Sequence, residues 1–512
     1  MRAPSVTPLN QPADFKVEEM FFSTTDERGI IQSGNAVFAR VSGYTLPELI
    51  GQPHNLIRHP DMPRVVFRLL WTYVKQGRPI VALVKNMARD GRYYWVVALV
   101  TPIPGGFLSV RFKPSIGTIA LISEVYARVR AEEIAQTEAG ADGRAAMDAA
   151  ETLLLAELNR LGFADYDHFM WHCLHQEIKH RDGLTGATRV RSHAVDDASA
   201  AGASSVTNVV LRSIHAAAAQ AYDKIDSLYR GLDQLTTLHA QLVGQSSHVV
   251  DLAHNIRFVA LSTTIKSAHL GEEGRSLGVI AQYLSEASGN TSREVRGLTD
   301  HLQSVSNELQ STIFSLASVR LQLEMTLFFI TELRREETTG RTDEEVAGAS
   351  RASMIGSLQQ AFHATTQRTV KSLDTFGEHL TGLTKSADAL RRTIISLHLA
   401  QIGGRAEASR IRHDDSVLAM LTEIQGYIDK TVEDLDGIGS VTARFGTLVR
   451  SVPSMARSVD RAVRSMETDV RQLASRAATN NATAVTVSPD HAQPVIGNET
   501  AAAEPELLQT VA

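Results

Sequence analysis

The chain is 512 residues long, with 43% apolar residues, 21% charged residues and a formal net charge of −6, so several packed domains are expected. No basic block stands out, which argues against nucleic acid as the main partner. The single cysteine, Cys173, excludes an internal disulfide and suits a reducing cytosol.

Residues 1–14 carry no apolar signal-peptide core and are expected to be flexible. No run of about 18 apolar residues stands out, so a cytoplasmic chain without a membrane span is expected. Residues 15–115 read as a sensor-sized domain. Val81–Val84 and Tyr94–Val100 are β-rich runs around the turn Arg89-Asp90-Gly91, a hairpin, and Asp26-Glu27-Arg28-Gly29 reads as a second, looser hairpin turn. Two hairpins around a short helical segment give an antiparallel sheet with a ligand pocket between sheet and helices. Residues 58–63, Arg-His-Pro-Asp-Met-Pro, gather a cation, an imidazole and a carboxylate onto a turn fixed by Pro60 and Pro63. Such a rigid polar corner suits an anionic cofactor or a solvated surface turn. Trp71 falls in the run Val65, Val66, Leu69, Leu70, Val74, which also fits ordinary helix core.

From Met20 to about Phe112 the stretch resembles the PAS domain of bacterial aerotaxis receptors. The resemblance runs through Phe21-Phe22-Ser23-Thr24-Thr25-Asp26, Gly29-Ile30-Ile31, Asn35, Val41-Ser42-Gly43-Tyr44, Glu48-Leu49-Ile50-Gly51, Pro53-His54-Asn55, the hexapeptide and Leu70-Trp71. It closes on Lys85-Asn86, Asp90-Gly91 and Tyr93-Tyr94-Trp95-Val96. It implies an FAD-binding domain that reports redox state or oxygen, with Arg58, His59, Asp61, Trp71 and Asn86 as cofactor residues. In that scheme Arg58 offsets phosphate charge or holds the loop, Asp61 orients Arg58 or His59, and Trp71 packs on the flavin ring. The sequence departs from the family at Ile80, where a tryptophan is usual. A haem held by His54 or His59, or no cofactor, is the alternative.

Residues 116–182 read as two or three helices, interrupted near Gly140–Gly143 and at Gly162. His168, His172 and His175 share a helical face there. Their neighbours Phe163, Tyr166, Phe169 and Trp171 favour packing, and no metal is expected. Residues 183–204 are small and polar and read as a flexible linker. Leu228, Leu235, Leu242, Val249 and Ile256 then fall seven apart, as do Leu302, Leu309, Leu316, Leu323 and Ile330. Sustained heptads predict long antiparallel, coiled-coil-like helices. The fold class is therefore α+β, a sheet domain followed by an all-α helical bundle.

Ile265–Ala281 resembles the hairpin tip of methyl-accepting chemotaxis proteins, the part that docks the chemotaxis kinase and its coupling protein. Gly271-Glu272 and Gly274-Arg275 match the turn. The family's glutamate, asparagine and arginine are here Lys266, Ser262 and His269. A second segment, Arg405–Arg410, follows the same logic 141 residues later and pairs Lys266 with Glu407 and His269 with Arg410. The signalling-tip candidates are thus Lys266, His269, Gly271, Glu272, Arg275, Glu407 and Arg410. Residues 205–340 and 341–478 read as tandem hairpins, a pseudo-repeat able to build a four-helix bundle inside one chain or to serve a homodimer. Residues 479–512 are expected to be a disordered tail. No nucleotide loop, kinase signature or nucleophile elbow is found, so the expected function is a non-enzymatic signalling sensor of the aerotaxis and chemotaxis type.

Overall fold

A computed structural model describes residues 6–185, 206–338, 344–410 and 415–485. The expected linker at 183–204 and the tail at 479–512 lie largely outside those residues. The N-terminal sheet has five strands: β1 (Met20–Asp26), β2 (Ile31–Gly34), β3 (Ile80–Met87), β4 (Tyr93–Ile103) and β5 (Gly106–Phe112). They lie in the order β2-β1-β5-β4-β3, and each neighbouring pair is antiparallel. Between β2 and β3 come α1 (Ala36–Ser42), α2 (Leu46–Leu49), a 3-10 turn at His54–Ile57 and α3 (Arg64–Lys75). Asn35 caps α1, its Oδ1 accepting the N–H groups of Phe22 (3.2 Å) and Phe38 (3.4 Å). Gly106 lets β5 close on β1, since a Cβ there would sit 1.9 Å from the Thr25 carbonyl oxygen.

The expectation of a flexible N-terminus fails from about Thr7. The Leu9 N–H donates to Gly91 O (2.8 Å) and the Ala13 N–H to Tyr93 O (2.7 Å), so residues 7–13 run along the β3–β4 hairpin. Gly91 permits the approach, because a Cβ on it would meet the Thr7 carbonyl at 2.5 Å.

Three helices follow: α4 (Ile116–Glu138), α5 (Gly143–Arg160) and α6 (Tyr166–Thr185). They pack on the domain rather than trailing from it. The Tyr166 hydroxyl donates to Val81 O (3.1 Å), and buried Glu177 accepts the Ser115 N–H (2.7 Å). Phe163, Tyr166 and Phe169 pack ring on ring, His172 lies against Phe163, and His168 pairs with Asp165 at 2.7 Å. Among the described residues the rest is four long helices: α7 (Val206–His269), α8 (Arg275–Thr338), α9 (Glu344–Ala408) and α10 (Asp415–Val485). Helix α10 runs to Val485, past the expected start of the tail, in an alanine-rich stretch of high helix propensity.

Contacts divide the chain into two units: residues 1–226 with 314–368 and 455–512, and residues 227–313 with 369–454. The second is an antiparallel four-helix arrangement. Gly404 of α9 faces Ile280 of α8, Gly382 faces His301, and Thr312 Oγ1 lies 2.9 Å from Ser372 Oγ, so α8 and α9 run in opposite directions. Between α9 and α10, Gln401 Nε2 donates to Leu421 O (2.7 Å) and Phe376 meets Phe445 edge-on at 5.3 Å. The Leu302 and Leu309 positions of the α8 heptad seam are buried here. The Leu235, Leu242 and Val249 side chains lie outside the described residues.

In the first unit the α8 seam continues through Leu316, Leu323 and Ile330, all fully buried. Among the described residues one helix, Gly271–Glu336, is long and apolar enough by composition to cross a membrane, with a window of mean hydropathy 1.5; 89% of that window is buried inside the protein. It passes that test although no such run stood out in the sequence, because threonine, serine and glutamine interrupt its apolar residues.

The register of α8 against α9 predicts that Thr312→Cys with Ser372→Cys forms an intramolecular disulfide under mild oxidation. Non-reducing electrophoresis should show a compacted monomer, while buried Cys173 stays out of the reaction. Cross-linking only between chains would contradict the internal pairing.

Candidate functional site

Side chains alternate across β1, β3, β4 and β5, so every second residue faces the concave side of the sheet. That side and α3 enclose a cavity of about 110 Å³ that opens to solvent. Its walls are mostly apolar: Phe67, Leu70 and Trp71 from α3, Val84, Ala98 and Val100 from the sheet, and Phe107 from β5. Trp71 is half-buried and meets Phe107 edge-on at 5.5 Å.

Arg58, Trp71 and Asn86 are brought together on this cavity; His59 and Asp61 are not among its lining residues. The two prolines explain the split. They fix a turn in which Arg58 pairs through its backbone with Asn86 on the edge strand, while the next residues turn away. Arg58 Nη2 donates to Met62 O (3.1 Å), and its guanidinium lies 4.3 Å from the centre of the Phe67 ring. Burial lowers it to about 10, although Glu133 works the other way. The His59 ring is buried against Tyr93, its Nδ1 accepts the Asp61 N–H (3.2 Å), and burial with Lys85 lowers its pKa. Burial would raise the carboxyl of Asp61, yet the Lys85 ammonium 2.6 Å away holds it below its ordinary range. Asp61 thus pairs with Lys85 and lies 3.4 Å from His59 Nδ1, on the side of His59 and not of Arg58.

Several lining residues escaped the sequence reading. Ser109 and Arg111 alternate with Leu108, Val110 and Phe112 on β5, a polar stripe inside a fully buried strand. That pattern was legible as a signal, because polar groups buried in a strand need partners. Arg111 Nη1 donates to Ser23 Oγ (3.0 Å) and Nη2 to His54 Nε2 (2.7 Å). That bond puts the imidazole proton on Nδ1. Burial and then Arg111 push His54 down to about 3, so the ring is neutral. Asn86 Nδ2 and Ser109 Oγ are buried without a hydrogen-bond partner among the described residues. Both residues line the cavity.

At the tip, Gly271 takes a left-handed φ of 57° and opens a 3-10 turn over Gly271–Gly274. Ser267 Oγ donates to Gly274 O (2.7 Å), and Glu272 pairs with Arg275 at 2.6 Å. Glu407 and Arg410 lie 3.4 Å apart at the end of α9. Lys266 and His269 occupy the last turn of α7.

Residues 33–107 match the family model described as PAS fold. Over 134 residues the chain is 40% identical to the "Aerotaxis receptor" of Escherichia coli (strain K12), covering 25% of this chain and 26% of that protein. Over 81 residues it is 35% identical to a "Nitrogen fixation regulatory protein" of Klebsiella pneumoniae, covering 16% of each. The chain thus spans about a quarter or less of the length of these curated relatives, 26% and 16%. A solved structure described as "Flavin Analogue Sheds Light on Light-Oxygen-Voltage Domain Mechanism" aligns over 21% of this chain and 85% of that one, at 17% identity and a TM-score of 0.19. The N-terminal sheet domain is a PAS domain.

The neutral, buried His54 carries a pH signature. Its folded value of about 3 lies below its ordinary 6.5, so its contribution is complete above about pH 6.5 and is lost as pH falls toward 3. The slope reaches about 1.4 kcal/mol per pH unit inside that window. Denaturant unfolding of wild type and His54→Gln should therefore diverge below about pH 6.5, the variant falling less steeply. Parallel pH profiles would contradict a neutral buried ring.

Proposed function

We propose that this chain is a non-enzymatic signalling sensor whose PAS cavity holds a flavin, FAD by the resemblance, and whose helices carry the state of the cavity to a protein partner. Two buried polar atoms without partners among the described residues, Asn86 Nδ2 and Ser109 Oγ, on a cavity whose exposed wall is mostly apolar, are what most supports the ligand. Leaving such groups unsatisfied costs about 1–3 kcal/mol each, and a heterocycle edged with carbonyl and ring-nitrogen groups would satisfy both. Trp71 and Phe107 offer flat apolar walls for the ring, and Arg58 a cation for phosphate. A bound flavin supplies reversible exchange of electrons and protons. A haem would need an axial histidine. Against that reading, His54 Nε2 already accepts from Arg111, and His59 does not line the cavity.

The output path would begin where the PAS domain meets the α8 segment of the same unit. Phe38 of α1 stacks on His54 at the cavity (ring centres 6.2 Å apart) and on Phe21 of β1 (6.1 Å). In the same first turn of α1, Glu332 of α8 accepts from Asn35 Nδ2 (2.9 Å) and from the Ala36 N–H (3.0 Å). A carboxylate at a helix N-terminus contributes about 0.3–1 kcal/mol when exposed and up to about 2 when partly buried. Phe22, on the convex face of β1, meets Phe329 of α8 edge-on at 5.0 Å. A shift of His54 or β1 would thus be felt by α8. A coupling of about 1–3 kcal/mol biases a two-state helical element. The output partner is a signalling protein; Lys266 and His269, which replace the family's acid and arginine, argue against standard chemotaxis-kinase coupling.

Absorption spectra of the purified full-length chain test the cavity. Wild type should show the two-band flavin spectrum, and Asn86→Leu should lower flavin affinity by about tenfold, the worth of one hydrogen bond near 1.4 kcal/mol. A Soret band, or no chromophore after reconstitution with FAD, would contradict the reading.

A further inference from the structure

Arg111 is 3% exposed and lines the cavity. Its hydrogen bonds go to the neutral Ser23 hydroxyl and the neutral His54 ring, and among the described residues no carboxylate pairs with it. Elsewhere in the same unit buried guanidinium groups find acids: Arg181 meets Glu324 at 2.8 Å, and Arg320 meets Asp182 and Asp226 at 2.7 Å. A buried charge without a counter-charge is costly, and burial draws this guanidinium down to about 10. The partnerless Ser109 Oγ lies two residues away on the same strand face, an independent sign that the cavity wall awaits a ligand.

We infer that Arg111 supplies the counter-charge for an anionic ligand ring, so that the cavity holds a reduced, singly protonated flavin more tightly than the oxidised one. This deepens the flavin reading and rests on it. A flavin that takes two electrons from a low-potential donor and one proton from water gains one negative charge on its ring. The oxidised ring carries none, so a fixed cation beside it discriminates between the two. A ligand phosphate is the other source of negative charge. Arg28, whose side chain is 82% exposed, also lines the cavity and is within reach of solvent, whereas Arg111 is buried. The buried position favours the ring.

Dithionite titration of the full-length, flavin-loaded chain against a redox dye measures the preference as a midpoint potential. Arg111→Gln should reduce the ratio of reduced to oxidised affinity by about tenfold or more, which is a fall of about 30 mV per tenfold for a two-electron couple. Arg111→Lys should retain most of the wild-type potential. An Arg111→Gln chain that still binds flavin at an unchanged potential overturns the inference. Wild type alone gives a second readout should that variant not fold. A nearby cation lowers the pKa of the reduced ring, so the potential should change by about 30 mV per pH unit down to about pH 5.5. A slope of about 59 mV per unit there, two protons for two electrons, overturns it. Riboflavin, which lacks phosphate, should show the same shift as FAD; a loss of FAD affinity alone, with no change in potential, assigns Arg111 to phosphate and overturns the ring assignment. A wild-type chain that takes up neither flavin sinks the reading of the cavity itself.

Discussion

The structure depends on a sheet buried on both faces. Along β1 and β5, residues on one face meet the cavity and residues on the other meet helices, so each strand has two audiences. Ser23, Ser109 and Arg111 look inward, while Phe22 looks toward Phe329 of α8. An isolated antiparallel sheet usually leaves one face in water. Here that face is covered by α6 and α8: Arg181 lies over Phe112 at 5.4 Å, and Gln322 Nε2 donates to Thr101 Oγ1 (2.8 Å). A change in cavity charge therefore acts on strands that have no free surface on which to relax.

Charge within that sandwich is handled in two ways. On the helical side, Arg181 and Arg320 are met by carboxylates, and breaking such buried pairs costs about 3–5 kcal/mol. On the cavity side, Arg111 has only neutral neighbours. Glu332 presents the reverse case. Partial burial against the domain pushes its carboxyl up to about 7, with Glu336 adding to the rise and Asn35, Ala36 and Arg40 opposing it. A folded value above the ordinary 4.5 means that this contribution is complete below about pH 4.5 and is lost as pH rises through about 7. The cost of ionisation lies in burial, since the bonds from Asn35 and Ala36 themselves favour the charged carboxylate.

Much of this was legible in the sequence where the pattern was local. The β3–β4 hairpin followed from two β-rich runs around Arg89-Asp90-Gly91, and the α8 heptads marked residues that are buried. Proline chemistry marked the turn at 58–63, but not which side chains it turns inward. Arg58 faces the cavity, whereas Asp61 faces Lys85 on β3, a partner 24 residues away whose position only the sheet register fixes. The docking of residues 7–13 was hidden for a similar reason, since it depends on the missing Cβ of Gly91. Glu332 was invisible as a cap of α1 because its partner lies nearly 300 residues earlier.

The central claim is that the redox state of the cavity is felt by α8 through α1 and β1. Hydrogen exchange of the flavin-loaded full-length chain, oxidised and reduced, tests it most directly. The account predicts that protection changes on reduction at Ala36–Phe38 and around Phe329–Leu333, and that Glu332→Gln diminishes the change at α8 while leaving that at β5. Identical protection of α8 in both redox states, with β5 responding alone, would contradict it.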